Sequence, residues 1–251
     1  MKQYPFTKRR KDGSVSECGY MKIVDEADGN SDNAELYFYG DICGDSWESS
    51  WFKEAKAPQD VADFLHSLDG KKRVDVYINS GGGDVFGGMA IYNILSRYQG
   101  ETIAHIDGIA ASIAGIIPFA CDKVIAKSSA QLMLHKPWSI CMGNADDMKK
   151  CIESLNTCEK SIVDIYTEHA VNGTTAAKIQ SMIDRETWLT CGEAQQYFDI
   201  EIEAGEPPQA CYSAYYDNYL HTPKSLSESA PVPLESERKR KLQLELDCLS
   251  S

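Results

Sequence analysis

Two periods of hydrophobic and polar alternation run along this chain. Residues 18–26 (CGYMKIVDE) and 35–42 (ELYFYGDI) are rich in aromatic and β-branched side chains, are bounded by Gly and Asp, and predict strands. Residues 58–69 open on Pro58 and place Val61, Phe64, Leu65 and Leu68 at helical spacing, with Gly70 as the stop. VDVYIN (74–79) predicts a buried strand, SGGGD (80–84) a loop, and 85–98 a helix. TIAHID (102–107) reads as a strand, SIAGIIPFAC (112–121) as a helix, and KVIAK and QLMLH as two more strands. Strands and helices alternating in this order predict right-handed crossovers and a largely parallel α/β sheet covered on both faces.

After His135 the texture changes. Residues 145–171 predict a long helix with Met148, Ile152, Leu155, Cys158, Ile162, Ile165 and Tyr166 on one narrow apolar stripe, which must be buried against something. Shorter helices are expected at 174–183 and 191–198, around ETWLT. From about Gly205 the periodicity fades into Pro, Ser and mixed charge. The expected organisation is therefore a flexible arm at 1–17, one domain at 18–205, and a polar linker and tail at 206–251 with a short helix at KRKLQLELDCL.

Composition narrows the function classes. Lys and Arg number 25 against 38 Asp and Glu, a net charge of −13, which argues against a nucleic-acid partner. The basic cluster Lys8-Arg9-Arg10-Lys11 reads as a solvated leader. The 9 cysteines include no C-x-x-C pair, and the histidines show no ligand spacing, so reduced thiols are expected rather than disulfides or zinc. No apolar leader follows Met1, and the longest uncharged run, interrupted by Pro118, is too short for a bilayer. A soluble, cytoplasmic protein without membrane partner, metal or cofactor is the expectation.

Four features carry candidate chemistry. SGGGD lets the backbone approach a ligand and expose its N–H groups, as phosphate cradles and oxyanion holes both require. The phosphate motifs fail on Phe86 and Met89, where a Gly and a Lys would be needed; a plain tight turn is the bland reading. Ser112 opens an apolar helix. A serine there is ordinarily an N-cap, but a helix N-terminus also supplies positive potential for an oxyanion, and Gly-Ile-Ala-Ala before it admits a substrate main chain. His135 ends a strand, where sites in α/β folds gather, although a single histidine is more often structural. Asp184 and Glu186 in DRETWLT are ordinarily surface acids. A Ser-His pair needs a third group to hold the imidazole and stabilise its cation, and either acid could serve.

In this order, the motifs resemble the proteolytic subunit of the Clp protease, the ClpP family. YINSGGGDVFGGMAIYNIL resembles its Y-I-N-S-P-G-G segment, GIAASIAG its G-x-A-A-S-M-G, LMLHKPW its M-I-H-Q-P, and RETWLTCGEAQQYFDIE its R-D-x-F-L-S-x-x-E-A segment. The resemblance covers roughly 35 to 200. It implies a ClpP/crotonase-like fold of repeated β-β-α units with a protruding handle helix at 145–171. It further implies Ser112 as nucleophile, His135 as general base, the N–H groups of Gly83 and Ile113 as oxyanion hole, and Glu186 as the acid. Glu186 stands where the family has Asp, so Asp184 remains a rival; Gly81 replaces the family's Pro and Lys136 its Gln. The expected partners are a peptide substrate and further copies of the chain in a ring.

The Glu186 substitution, the arm and the tail resemble the phage branch of the family, the head-maturation (prohead) proteases that process scaffold and capsid precursors. Such a protein would work in the host cytoplasm or the prohead. The alternatives are a housekeeping subunit working with an ATP-dependent unfoldase, a ring-forming assembly protein with a dead site, and a crotonase-like acyl-CoA enzyme.

Overall fold

The computed structural model describes residues 2–9, 15–25, 33–42, 57–68, 73–205, 213 and 215–227. The chain begins with strands β1 (Lys2–Arg9), β2 (Val15–Asp25) and β3 (Asn33–Gly40), followed by helix α1 (Ala57–Leu68), β4 (Arg73–Ser80) and α2 (Val85–Leu95). Then come β5 (Thr102–Ala111), a 3-10 helix (Ser112–Ala120), β6 (Lys123–Lys127), β7 (Gln131–Leu134) and the long α3 (Ala145–Glu168). The remaining elements are α4 (Ala176–Asp184), β8 (Thr187–Thr190), α5 (Cys191–Ala194), β9 (Glu201–Glu203), a 3-10 turn (Tyr216–Asn218) and α6 (Lys224–Ser227).

All strands belong to one sheet, ordered β1-β2-β3-β4-β5-β6-β9, with β7 on β5 and β8 on β7. The pairs from β3 through β4, β5 and β6 to β9 are parallel, while β1-β2, β2-β3 and β7-β8 are antiparallel. The stretch expected as a flexible arm thus holds β1 and the start of β2, paired as a hairpin. β5 serves two neighbours. Its first half pairs with β6 (Ile103↔Lys123 to Ile106↔Ala126), and after Gly108 its second half pairs with β7 (Ile109↔Gln131 to Ala111↔Met133).

Helices α1 to α4 cover one face of the sheet, and among the described residues the opposite face is covered by helical turns only at its end, by Tyr216 and Leu226 of the C-terminal segment, not along its length as expected. The reason lies in the period-2 alternation of the strands. Leu36, Phe38, Val76, Ile78, Ala104 and Ile106 point into one core together with residues of α1, α2, α3, α4 and the Ser112–Ala120 helix. The intervening residues carry a half-buried polar-aromatic row instead, in which Tyr37 stacks on Tyr77 at 4.6 Å and Tyr77 on His105 at 4.7 Å. A second, smaller cluster on Ile109, Ala111 and Met133 is closed by Tyr216, Tyr219 and Leu226. The region expected as a polar tail therefore contributes packed structure, because its tyrosines supply the apolar area that the Pro/Ser composition hides. The helix expected at 239–249 lies outside the described residues.

Two further expectations are refined. The helix expected at 112–121 forms over Ser112–Ala120 as a 3-10 helix, almost wholly buried. The apolar stripe of α3 is only half used: Cys158, Ile162 and Tyr166 are buried, but Met148 and Ile152 remain exposed because the first half of the helix extends past the core. Among the described residues no helix is long and apolar enough to cross a membrane.

Phe119, Tyr166 and Phe198 lock α3 onto the Ser112–Ala120 helix, with Phe198 fully buried at ring distances of 5.3 Å and 5.4 Å from its two partners. We expect Phe198→Ala to cost about 3–5 kcal/mol of unfolding free energy in urea titration, the range for truncating a buried aromatic.

Candidate active site

Strand register brings the candidate residues together. β4 pairs Ser80 with Ala110, β5 pairs Ala111 with Met133, and β7 pairs Leu134 with Thr187. Each ladder extended by a residue or two sets the glycine loop beside Ser112, Ser112 beside His135, and His135 opposite Glu186. The serine hydroxyl and the His135 imidazole meet at 2.7 Å from Oγ to Nε2. The site lies outside the carboxyl ends of parallel strands, where open α/β sheets ordinarily bind ligands.

Ser112 is not an N-cap. That position falls on Ala111, which makes no side-chain capping bond, and Ser112 takes a left-handed backbone with φ 55°. Such a conformation costs a non-glycine residue about 1–2 kcal/mol. It marks the sharp turn from strand to helix that carries the hydroxyl to the imidazole. Glu186 shows the same left-handed backbone, with φ 50° at the turn from α4 into β8.

The glycine loop lies against the serine. A Cβ on Gly82 would sit 2.7 Å from the Ser112 Cβ, and Gly82 (φ 106°) and Gly83 (φ 146°) both use backbone that side chains disfavour. Ile42 clamps the loop: its N–H donates to Gly82 O at 2.7 Å and its carbonyl accepts from Asp84 N at 2.9 Å. The Gly83 N–H between them meets no backbone acceptor among the described residues. Asp84 caps α2, its carboxylate accepting from Gly87 N at 2.6 Å, which holds the loop at the helix start. Ile113 is the second residue of its helix, so its N–H has no intrahelical acceptor either. Among the described residues, neither of the two amides expected to bind an oxyanion is taken by a backbone acceptor.

Burial lowers the His135 pKa from 6.5 to about 4, opposed only in part by the Glu186 carboxylate. The imidazole is neutral at physiological pH and can accept a proton. Glu186 is itself buried, which alone would raise its pKa. The N–H groups of Leu220 (2.7 Å) and His221 (2.6 Å) and the Trp188 indole (3.2 Å) outweigh that penalty and hold it below the usual carboxylate value. Its field reaches His135, but the described contacts include no hydrogen bond between them. Asp184 is engaged elsewhere, by Lys136 at 2.9 Å and Gln180 at 3.0 Å. The Lys136 departure from the family pattern thus occupies the rival acid.

Beside Ser112 and His135 lies a small recess walled by Val85, Ile113, Leu134, Pro137 and Ile162. Its wall includes Tyr166, whose buried hydroxyl meets no hydrogen-bond partner among the described residues. Of the other histidines, His105 bonds Asp75 at 3.0 Å, His169 meets Tyr92 at 3.2 Å, and His66 and His221 are exposed. The sequence reading missed Tyr219, whose ring meets His135 edge-on at 4.8 Å between centroids, as well as Trp188 and the amides of Leu220 and His221. For the tail residues the signal was the run of tyrosines in an otherwise polar stretch, whereas Trp188 stands within the RETWLT motif.

This is the site geometry of a serine hydrolase built on a parallel sheet. A family model described as Clp protease matches residues 53–199, more than half of the chain, and the chain belongs to the Clp protease family, which are serine peptidases. It is 30% identical over 140 residues to an ATP-dependent Clp protease proteolytic subunit of Bacteroides fragilis, covering 55% of this chain and 67% of that protein. The corresponding proteins of Bacteroides thetaiotaomicron (29% over 140 residues, 55% and 63% covered) and Porphyromonas gingivalis (31% over 141 residues, 55% and 62% covered) are similarly related. The matches thus span about two thirds of these relatives' own length.

The low His135 pKa fixes a sign for stability. On acidification the unfolded chain takes up this proton through pH 6.5, whereas the native state stays neutral until about 4. The native state is thereby penalised progressively as pH falls across that window, and the penalty is absent above it. We expect unfolding free energy to drop with a slope of up to about 1.4 kcal/mol per pH unit from this group, and the slope to vanish between pH 6.5 and 4 when wild type is compared with His135→Gln.

Proposed function

We propose that this protein is a serine endopeptidase in which Ser112 attacks a peptide carbonyl. The observation that carries the proposal is the 2.7 Å contact from the Ser112 hydroxyl to a neutral His135. His135 takes the hydroxyl proton and returns it to the leaving amine, and the Gly83 and Ile113 amides receive the oxyanion. Loss of one such donor costs about 3 kcal/mol of transition-state stabilisation. Glu186 favours the imidazolium that forms, through its charge. The substrate lies as an added strand along the glycine loop, held by main-chain hydrogen bonds.

In its finer form the proposal is head maturation in a phage or prophage, with a scaffold or capsid precursor as substrate and a homo-oligomeric ring as the working form. Glu186 in place of the family's Asp, the β1-β2 hairpin before the matched region and the packed segment after it support this form. The names of the relatives favour a second form, a proteolytic subunit working with an ATP-dependent partner. Cleavage of a purified precursor without nucleotide separates the two, the second form requiring ATP and an unfoldase.

We expect Ser112→Ala to abolish fluorophosphonate labelling while circular dichroism stays unchanged. Persistent labelling of the variant would remove Ser112 from the role. Glu186→Ala should slow precursor cleavage by about 100-fold or more, since it removes the carboxylate that stabilises the cation, whereas Asp184→Ala should leave the rate within about twofold.

A further inference from the structure

The described part of the C-terminal segment, Ser213 and residues 215–227, lies directly on the groups that a substrate would use. The Tyr219 hydroxyl donates to Gly81 O at 2.5 Å, taking an acceptor on the edge along which a peptide strand would add. Its ring packs edge-on against His135 at 4.8 Å and against Trp188 at 6.0 Å. Just beyond it, the Leu220 and His221 amides each donate to one oxygen of Glu186, engaging both oxygens of the acid with the segment. Ser213 anchors the other end by donating to Asp41 Oδ1 at 2.5 Å, with Tyr216, Tyr219 and Leu226 packed on Ile109, Ala111 and Met133.

Gly81 connects this contact to the sequence. It stands where the family pattern has Pro, and the space that a side chain would fill is taken: a Cβ there would overlap Ser213 and come within 3.0 Å of the Tyr216 ring. Gly81 is not at positive φ, so its own backbone conformation does not demand glycine. The close approach of Ser213 does.

We propose that residues 213–227 form a built-in cover, which holds the site closed by occupying the glycine-loop edge with Tyr219 and the acid with two backbone amides, and which must leave before a peptide enters. The inference rests on the serine-peptidase reading above. Release frees Gly81 O for substrate and returns the Glu186 oxygens to the imidazole; it also bares the apolar patch on Ile109 and Met133, so the closed form is the resting one.

Two full-length variants test this. Gly81→Ala places a methyl group in the space of Ser213, and Tyr219→Ala removes the plug, so a variant that fails to fold leaves the other informative. The readouts are the rate of fluorophosphonate labelling at Ser112 and hydrogen exchange at the Leu220 and His221 amides. We expect both amides to lose protection and labelling to accelerate about tenfold or more, the equivalent of one or two buried hydrogen bonds released. Exposed amides with labelling at or below the wild-type rate would overturn the cover while leaving Ser112 as nucleophile. Slow amide exchange in Tyr219→Ala with unchanged labelling would overturn it equally. No labelling in any form, with the amides exposed, would overturn both readings.

Discussion

The site depends on one constraint, the hydrogen-bond register among β4, β5, β7 and β8. Hydroxyl, imidazole, carboxylate and glycine loop come from separate parts of the chain, and no local sequence feature holds one against another. What aligns them is that β5 exchanges neighbours along its length. Its early residues pair with β6, and the bend after Gly108 presents its last residues to β7. A one-residue slip on either side would turn the affected side chains to the opposite face and part Ser112 from His135. The buried rows on the helix side oppose such a slip, since it would carry Ile78, Ile106 and Leu132 out of the core.

On this frame the chemistry is electrostatic. His135 sits where burial disfavours its cation, so its imidazole is held neutral. The charge that would offset this penalty, Glu186, is present but its hydrogen bonds are spent on backbone amides of the C-terminal segment. In the structure this carboxylate is bound to the segment while its charge still acts on His135. Under the proposed mechanism the same charge would stabilise the cation formed during proton transfer. Its left-handed backbone places it at the entrance to β8.

Much of this was legible in the sequence, for identifiable reasons. The strand-helix order from 74 to 134 could be read because buried parallel strands are short apolar runs punctuated by glycine, and the motif residues sit at their ends. The closeness of Ser112 and His135 was legible only through the family resemblance, because periodicity says nothing about register. The 3-10 character of 112–120 was hidden, since an apolar run is compatible with either helix. One-sided coverage was hidden differently: Tyr37, Tyr77 and His105 occupy strand positions that look buried, yet they stack along a half-exposed face. β1 with the start of β2, and the packed segment after Gly205, were missed because both lie in stretches whose polar and charged composition imitates a linker. In the latter Tyr216 and Tyr219 supply most of the packing, joined by Leu226.

The left-handed turn at Ser112 has an evolutionary corollary. A side chain branched at Cβ crowds its own main chain at φ 55°, so threonine is disfavoured at this corner even though it carries the same hydroxyl. Cysteine, unbranched and close to serine in shape, meets no such obstacle. Among nucleophiles, the backbone geometry therefore leaves a thiol as the natural exchange and closes the route to the secondary alcohol, whatever the surrounding chemistry would tolerate.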